Sequence, residues 1–168
     1  MNKMKWLATA MAIGSVAACG GGSGGSSPTA PTPPANVAGD YNATITASST
    51  CSANLPAAAW AVNFASNITQ AGTAVQVQLF QHVGMNTVTG TVSGQTINFP
   101  SMSLSGTTGA GAVTVVATGT ANVDASGEIA GTLSGTYQLA SGTTCNATNH
   151  QIQWKKAGVV PFPPPDGQ

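Results

Sequence analysis

Apolar residues or glycines stand at every second position in run after run between Asp40 and Lys156, and Gly, Pro, Asn or Ser separates the runs. Such alternation is the period of a half-buried β-strand, whereas an amphipathic helix needs apolar residues every three or four positions. Two of the runs, Val113 to Val123 and Ile129 to Leu139, flank Asp124-Ala125-Ser126-Gly127, which suits a hairpin turn. The pattern therefore predicts an all-β domain built of consecutive hairpins.

The strands number eight or nine, since Pro100 interrupts one run, and no amphipathic helix is present to cover a sheet face. An open meander would expose two edges and one apolar face, and closing the sheet on itself removes these liabilities. Glycines at otherwise apolar positions permit the tight coiling that a small barrel needs. They are Gly90, Gly119, Gly131 and Gly135. We therefore expect an antiparallel up-and-down meander closed as a small β-barrel over residues 38–156, with a two-sheet β-sandwich as the alternative.

The first 18 residues have the layout of an export signal. Lys3 and Lys5 make its start positive, and the apolar run from Trp6 to Val16 is too short to cross a bilayer as a permanent helix. The run ends in Val16-Ala17-Ala18-Cys19, which resembles the lipobox of bacterial lipoproteins. The resemblance implies cleavage before Cys19 and attachment of fatty acyl chains such as palmitate. The alternative is an ordinary secretory signal with small residues at its cleavage site.

Residues 19–37 read as a tether that begins with the lipidated cysteine. A Gly/Ser-rich stretch is typical of a flexible coil, and the Pro-rich stretch that follows is typical of a stiffer spacer. Gly20 stands where an aspartate would favour inner-membrane retention in the resembling class. The resemblance therefore implies the outer membrane, with the domain facing the periplasm or the surface. A second Pro-rich stretch, residues 157–168, is expected to be an exposed tail.

Cys51 and Cys145 are the two cysteines within the barrel domain. In an exported chain an even pair indicates a disulfide, with two free thiols or half of a metal site as the alternatives. The first and last strands of an up-and-down barrel are neighbours, so the two cysteines would meet at one rim. Strict pairing outward from them places Ile45 opposite Gln151, whereas an inward-facing pair requires Ile152. We expect a bulge near the cysteines to absorb this slip.

Composition restricts the possible partners. Charged residues are only 5% of the chain, against about 25% in an average domain. Without the signal, two lysines face four carboxylates, which excludes the cationic surface of a nucleic-acid binder. Aromatic residues are also only 5%, and this disfavours a transmembrane β-barrel with its aromatic girdles.

Few residues offer catalytic chemistry. No Gly-x-Ser-x-Gly precedes a helix, and the carboxylates have no spacing typical of a catalytic pair. His82 and His150 form no i, i+4 pair and lie near no cysteine cluster, so we interpret both as surface or rim residues and not as metal ligands. We predict no enzymatic activity, no cofactor and no metal site.

Trp60 and Trp154 are candidate ligand or rim contacts at a barrel mouth, with core or end plugs as the alternative. In strand number, size and the Gly-Thr-x-Ser-Gly hairpins at 90–94 and 131–135, the domain resembles lipocalin-like (calycin) barrels and small barrels of bacterial surface lipoproteins. Gly39-Asp40-Tyr41 stands in place of the lipocalin Gly-x-Trp.

Two functions remain open for this domain. The first is a non-enzymatic structural or interaction module whose rim or wall meets an unknown protein or glycan. The second, implied by the resemblance, is a lipocalin-like carrier of a small apolar ligand in the barrel interior. We favour the first because no convergent polar group is identifiable among the inward-facing residues.

Overall fold

The computed structural model describes residues 32–81 and 84–158, in which eight antiparallel strands form one closed barrel in chain order. The first strand pairs with both the second and the eighth, so the sheet closes on itself and the predicted up-and-down barrel is confirmed. Pro100 lies within one continuous strand, which makes the count eight. The strands are β1 (Gly39–Thr46), β2 (Ala61–Ala71), β3 (Ala74–Gln81), β4 (Gly84–Ser93), β5 (Thr96–Thr108), β6 (Gly111–Val123), β7 (Ile129–Leu139) and β8 (Thr144–Lys156).

The up-and-down order gives the barrel two different ends. At one, which we call the terminal end, β1 begins and β8 ends. At the other lies the connection between β1 and β2, which contains two short 3-10 helices, Ser49–Ala53 and Ala57–Ala59. The turns that follow β3, β5 and β7 lie at this same end.

Cys51 and Cys145 form the predicted disulfide, with their Cα atoms 5.6 Å apart. Cys51 lies in the first 3-10 helix and not at the end of β1, which stops at Thr46. The bond therefore fastens the connecting segment to the start of β8. We call this end of the barrel the disulfide end.

The pairing of β1 with β8 has the register that two inward-facing residues require, shifted by one residue from strict pairing outward from the cysteines. Ile45 faces Ile152 across the two strands. The pairing of β7 with β8 shifts between Leu133, opposite His150, and Gly135, opposite Ala147. Two residues of β8 thus oppose one residue of β7, and the bulge reverses which residues of β8 face inward.

Inward-facing side chains fill the barrel. The largest fully buried ones include Trp154, Tyr41, Tyr137 and Phe99. The rings of Phe99 and Trp154 pack with their centroids 5.5 Å apart. Aliphatic side chains from all eight strands complete one continuous core.

Chain segments cover both mouths of this core. At the terminal end Val37 is fully buried, its N–H donates to Oε1 of Gln70 at 2.8 Å, and its carbonyl accepts from the hydroxyl of Tyr41 at 3.0 Å. At the disulfide end the connecting segment buries Leu55 and Ala59. Both covers are built from residues adjacent to the strands of the barrel itself.

Glycines permit the close approach of β6 and β7. A Cβ at Gly131 would overlap the carbonyl oxygen of Thr120, and a Cβ at Gly135 would lie 2.6 Å from the Cα of Ala117. Such separations are far inside van der Waals contact, so a side chain at either position would push the strands apart. This agrees with the tight coiling expected from these glycines.

Residues 1–31, 82–83 and 159–168 lie outside the described part of the chain. The signal, Cys19, most of the tether, His82 and most of the Pro-rich tail are among them, so the expectations about these residues stay predictions. No helix within residues 32–81 and 84–158 is long and apolar enough to span a bilayer.

Candidate interaction site at the disulfide end

His150 lies in the interior and is fully shielded from solvent. Its Nδ1 accepts a hydrogen bond from the N–H of Ser48 at 3.0 Å, and its Nε2 lies 3.1 Å from the carbonyl oxygen of Gly135. A neutral ring protonated at Nε2 satisfies both contacts. The interpretation of His150 as a surface or rim residue is therefore wrong, because His150 belongs to the same inward-facing row of β8 as Ile152 and Trp154. There it joins the connecting segment to the barrel wall.

The two tryptophans occupy different environments. Trp154 is fully buried in the core, and its Nε1 has no hydrogen-bond partner among the described residues. Trp60 is 36% exposed at the disulfide end, and its Nε1 donates to the carbonyl of Leu55 at 3.0 Å. Of the two candidate contacts, only Trp60 is accessible from outside. Contact of either residue with a ligand stays a prediction.

Tyr137 places a second polar atom in the core. Its ring is fully buried, and its hydroxyl has no partner within the described chain. Burial raises the pKa of Tyr137 to about 12, because the ionised form would lose its hydration. The group is therefore a neutral hydroxyl at ordinary pH and a weaker acid than an exposed tyrosine.

Charge is confined to one end of the barrel. Each charged residue of the described chain lies at the start of β1, at the end of β8 or in the turn between β6 and β7, all at the terminal end; they are Asp40, Asp124, Glu128, Lys155 and Lys156. Within residues 32–81 and 84–158 no three His, Cys, Asp or Glu side chains are grouped as metal ligands. The disulfide end thus offers hydroxyls, carboxamides and apolar side chains for recognition.

β4 and β5 part from each other toward the disulfide end. Their ladder runs only from Ser93 opposite Thr96 to Thr91 opposite Asn98. Pro100 follows on β5 and has no N–H to donate, and the pairing of β5 with β6 is irregular at the same place. The proline and the bulge together account for the end of the ladder.

Beyond the bulge, β5 leans across the barrel onto β2. A Cβ at Gly106 would lie 2.6 Å from Cγ2 of Val62 and 3.1 Å from Cζ of Phe64. Glycine leaves room for this approach, which takes the end of β5 toward β2. On its β4 side, this part of β5 has no backbone ladder and leaves a space between the strands.

Two carboxamides bridge that space. Asn86 Oδ1 accepts from the N–H of Ser105 at 3.0 Å, and its Nδ2 donates to the carbonyl of Ser105 at 2.9 Å. Gln81 Oε1 accepts from the N–H of Thr107 at 2.7 Å, and its Nε2 donates to the carbonyl of Asn63 at 2.5 Å. We call the contact formed by Gln81, Asn86, Ser105 and Thr107 the β4–β5 seam.

Exposed apolar side chains and two grooves flank the seam. Phe80 and Met85 face each other across β3 and β4 and are 40% and 56% exposed. A groove of about 390 Å³ follows the seam, and one of about 790 Å³ lies on its other side, around Phe80. The first is lined by Gln81, Met85, Asn86, Ser105–Thr107 and Ala112–Thr114, and the second by Asn42–Thr44, Asn63–Ala65, Phe80, Gln81 and Thr107.

The sequence pattern does not single out Gln81 or Asn86, because the apolar alternation stops at Leu79 and resumes at Val88. A signal was nevertheless present. Gln81 continues the inward-facing row of β3, and Asn86 continues that of β4. Carboxamides at core-facing positions, near a strand in which a proline cannot donate to the ladder, indicate that side chains complete the hydrogen bonding there.

The chain matches no protein-family model, and comparison with curated proteins and with solved structures gives no match.

Proposed function

We propose that this chain is a lipid-anchored lipoprotein of the bacterial cell envelope and that its barrel is a non-enzymatic interaction module. Val16-Ala17-Ala18-Cys19 after a short apolar run supports the anchor. One acyl chain gives only marginal membrane binding, and two or more hold a protein stably. The absence of aspartate after Cys19 favours the outer membrane.

The packed interior is the observation that carries the proposed role. A carrier of small apolar molecules needs an internal cavity of about 300 Å³ or more. Here Trp154, Phe99 and Tyr137 occupy the core, Val37 covers one mouth, and the connecting segment covers the other. A partner would therefore meet the outer wall or a rim.

The disulfide end is the part of the wall best suited to a partner. The chain joins the barrel at the terminal end, where Ala35 N–H donates to the carbonyl of Gly94 at 2.7 Å, so an anchor attached there leaves the other end free. Trp60, Phe80 and Met85 are partly exposed toward the disulfide end.

Fractionation of cells that produce the wild-type chain or Cys19→Ser tests the anchor. The wild type should sediment with outer membranes and carry the mass of a cleaved, acylated chain, while Cys19→Ser should be soluble. A membrane-bound Cys19→Ser variant, or a wild type of uncut or unacylated mass, would contradict the anchor.

Native mass spectrometry of the purified chain tests the interaction role against the carrier role. We expect the mass of the protein and its acyl groups alone. A stoichiometric small apolar molecule that co-purifies and is lost on unfolding would favour the carrier.

A further inference from the structure

We propose that the β4–β5 seam is a strand-addition site, which takes an extended, uncharged peptide segment of a partner protein and pairs it with β5. The inference rests on the proposed interaction role and names its partner chemistry. The incoming backbone would replace the carboxamides of Asn86 and Gln81 at Ser105 and Thr107.

The chemistry of the seam points to a peptide backbone. An antiparallel strand residue exchanges two hydrogen bonds with its neighbour, one through its N–H and one through its carbonyl. Ser105 makes this pair of bonds with Asn86, at 3.0 and 2.9 Å, but the partner is a side-chain carboxamide. A carboxamide presents the same donor and acceptor as a peptide group. The site is therefore already arranged to bind an amide.

The strand edge extends along β5. Ser105 and Thr107 direct their N–H groups to the same side of β5, as alternate residues of one strand do; the acceptors are Asn86 of β4 and Gln81 of β3. Thr107 is satisfied by Gln81, which also bonds to β2. Two flexible side chains thus close an edge of the kind to which peptides add as an extra strand.

The surroundings define what kind of segment fits. The described charged residues all lie at the terminal end, so a charged segment would meet no counter-charge on the described residues around the seam. Met85 is 56% exposed beside the groove of about 390 Å³ and offers an apolar contact for alternate side chains of an added strand. An uncharged segment of alternating polar and apolar residues meets these conditions.

The probe is a synthetic peptide of residues 84–93, the uncharged strand that lies beside β5 in the fold. It is titrated into the isotope-labelled full chain carrying Cys19→Ser, with NMR detection. We expect amide exchange of Ser105 and Thr107 to slow. The side-chain NH2 signals of Asn86 and Gln81 should move toward those of free carboxamides. A peptide with Val88→Pro, which lacks one donor, should bind more weakly.

Two variants and a matched control sharpen the test. Asn86→Ala removes the competing carboxamide and should bind the probe about tenfold more tightly, whereas Asn122→Ala should bind like the wild type. Asn122 is also a strand asparagine bonded across strands, with Oδ1 accepting from Thr96 Oγ1 at 2.9 Å, but its ladder is complete. Ser105→Pro deletes the donor that points into the seam and should abolish binding.

Absence of binding to both the wild type and Asn86→Ala, or protection at other strands, would overturn the proposal. So would binding of maltohexaose, a neutral glycan titrated in parallel, in place of the peptide. Neither result touches the anchor, which cell fractionation tests separately.

Discussion

The N–H of Ser48 donates to Nδ1 of His150 at 3.0 Å, although the two residues are 102 positions apart. Ser48 precedes the first 3-10 helix, and its hydroxyl accepts from the N–H of Thr50 at 3.2 Å. The same hydroxyl lies 2.6 Å from Oδ1 of Asn149, to which it donates. Together with the disulfide of Cys51, these bonds fix the connecting segment to β8. The disulfide end is therefore held by both polar and covalent links.

His150→Phe should destabilise the barrel. The change leaves the N–H of Ser48 and the carbonyl of Gly135 without their hydrogen-bond partner. Each buried polar group without a partner lowers the free energy of unfolding by about 1–3 kcal/mol. Urea unfolding should report a free energy of unfolding lowered by about 2–4 kcal/mol. Gln151→Ala, at the exposed neighbouring position, should change it by less than about 0.5 kcal/mol. Equal effects of the two changes would contradict the structural role of the ring.

Reduction of the disulfide should lower the melting temperature by many degrees. Cys51 and Cys145 are 94 positions apart, and the chain-entropy model gives about 4–5 kcal/mol for a loop of that size. Thermal unfolding with and without reductant, and of the Cys51→Ser, Cys145→Ser double variant, measures the effect. Cys19→Ser serves as the control and should keep the wild-type melting temperature. An unchanged melting temperature after complete reduction would exclude this contribution.

Stability should fall between pH 10 and pH 12 because of Tyr137. Its pKa is about 12 in the folded chain against 10.0 for the unperturbed group. In that interval the unfolded state releases a proton that the folded state keeps, so the free energy of unfolding decreases as pH rises. Tyr137→Phe should reduce the decrease by about 2–3 kcal/mol relative to the wild type. Identical alkaline profiles of the two proteins would contradict the burial of this hydroxyl.

Gly135→Ala should destabilise the pairing of β6 and β7. The added methyl group would lie against the Cα of Ala117, at 2.6 Å, and against the carbonyl of Val116. Overpacking of this kind costs about 1–3 kcal/mol. Gly158→Ala is a suitable control, because nothing lies within 4 Å of its Cβ position. A Gly135→Ala variant as stable as the control would show that β6 and β7 can move apart freely.

Closure of the barrel was predictable because its causes are visible in the sequence pattern. Alternation defines each strand, hairpin turns such as Asp124–Gly127 set the order, and the positions of Cys51 and Cys145 bring the first strand to the last. The inward position of His150 follows from the same alternation, because His150 is in phase with Ile152 and Trp154. The exact position of the bulge between Cys145 and His150 was not predictable in this way, and a shift of one position there exchanges the inward and outward faces of β8.

The seam could not be derived from periodicity either. It arises because Pro100 ends one ladder and Gly106 lets β5 approach β2, so that two carboxamides from neighbouring strands become ladder partners. Each of these residues is unremarkable by itself in the sequence. Their combination is a property of the closed sheet, in which distant strands share one interior.

The confinement of charge to the terminal end has a kinetic consequence. Salt weakens an association between opposite charges because ions screen them. At 0.1 M ionic strength the Debye length is about 10 Å, so charges farther away than that have little influence. A partner that docks at the disulfide end would meet no charged side chain of the described barrel. Steering by these charges would therefore contribute little to its rate of encounter, and its affinity would change little between dilute buffer and about 0.1 M salt.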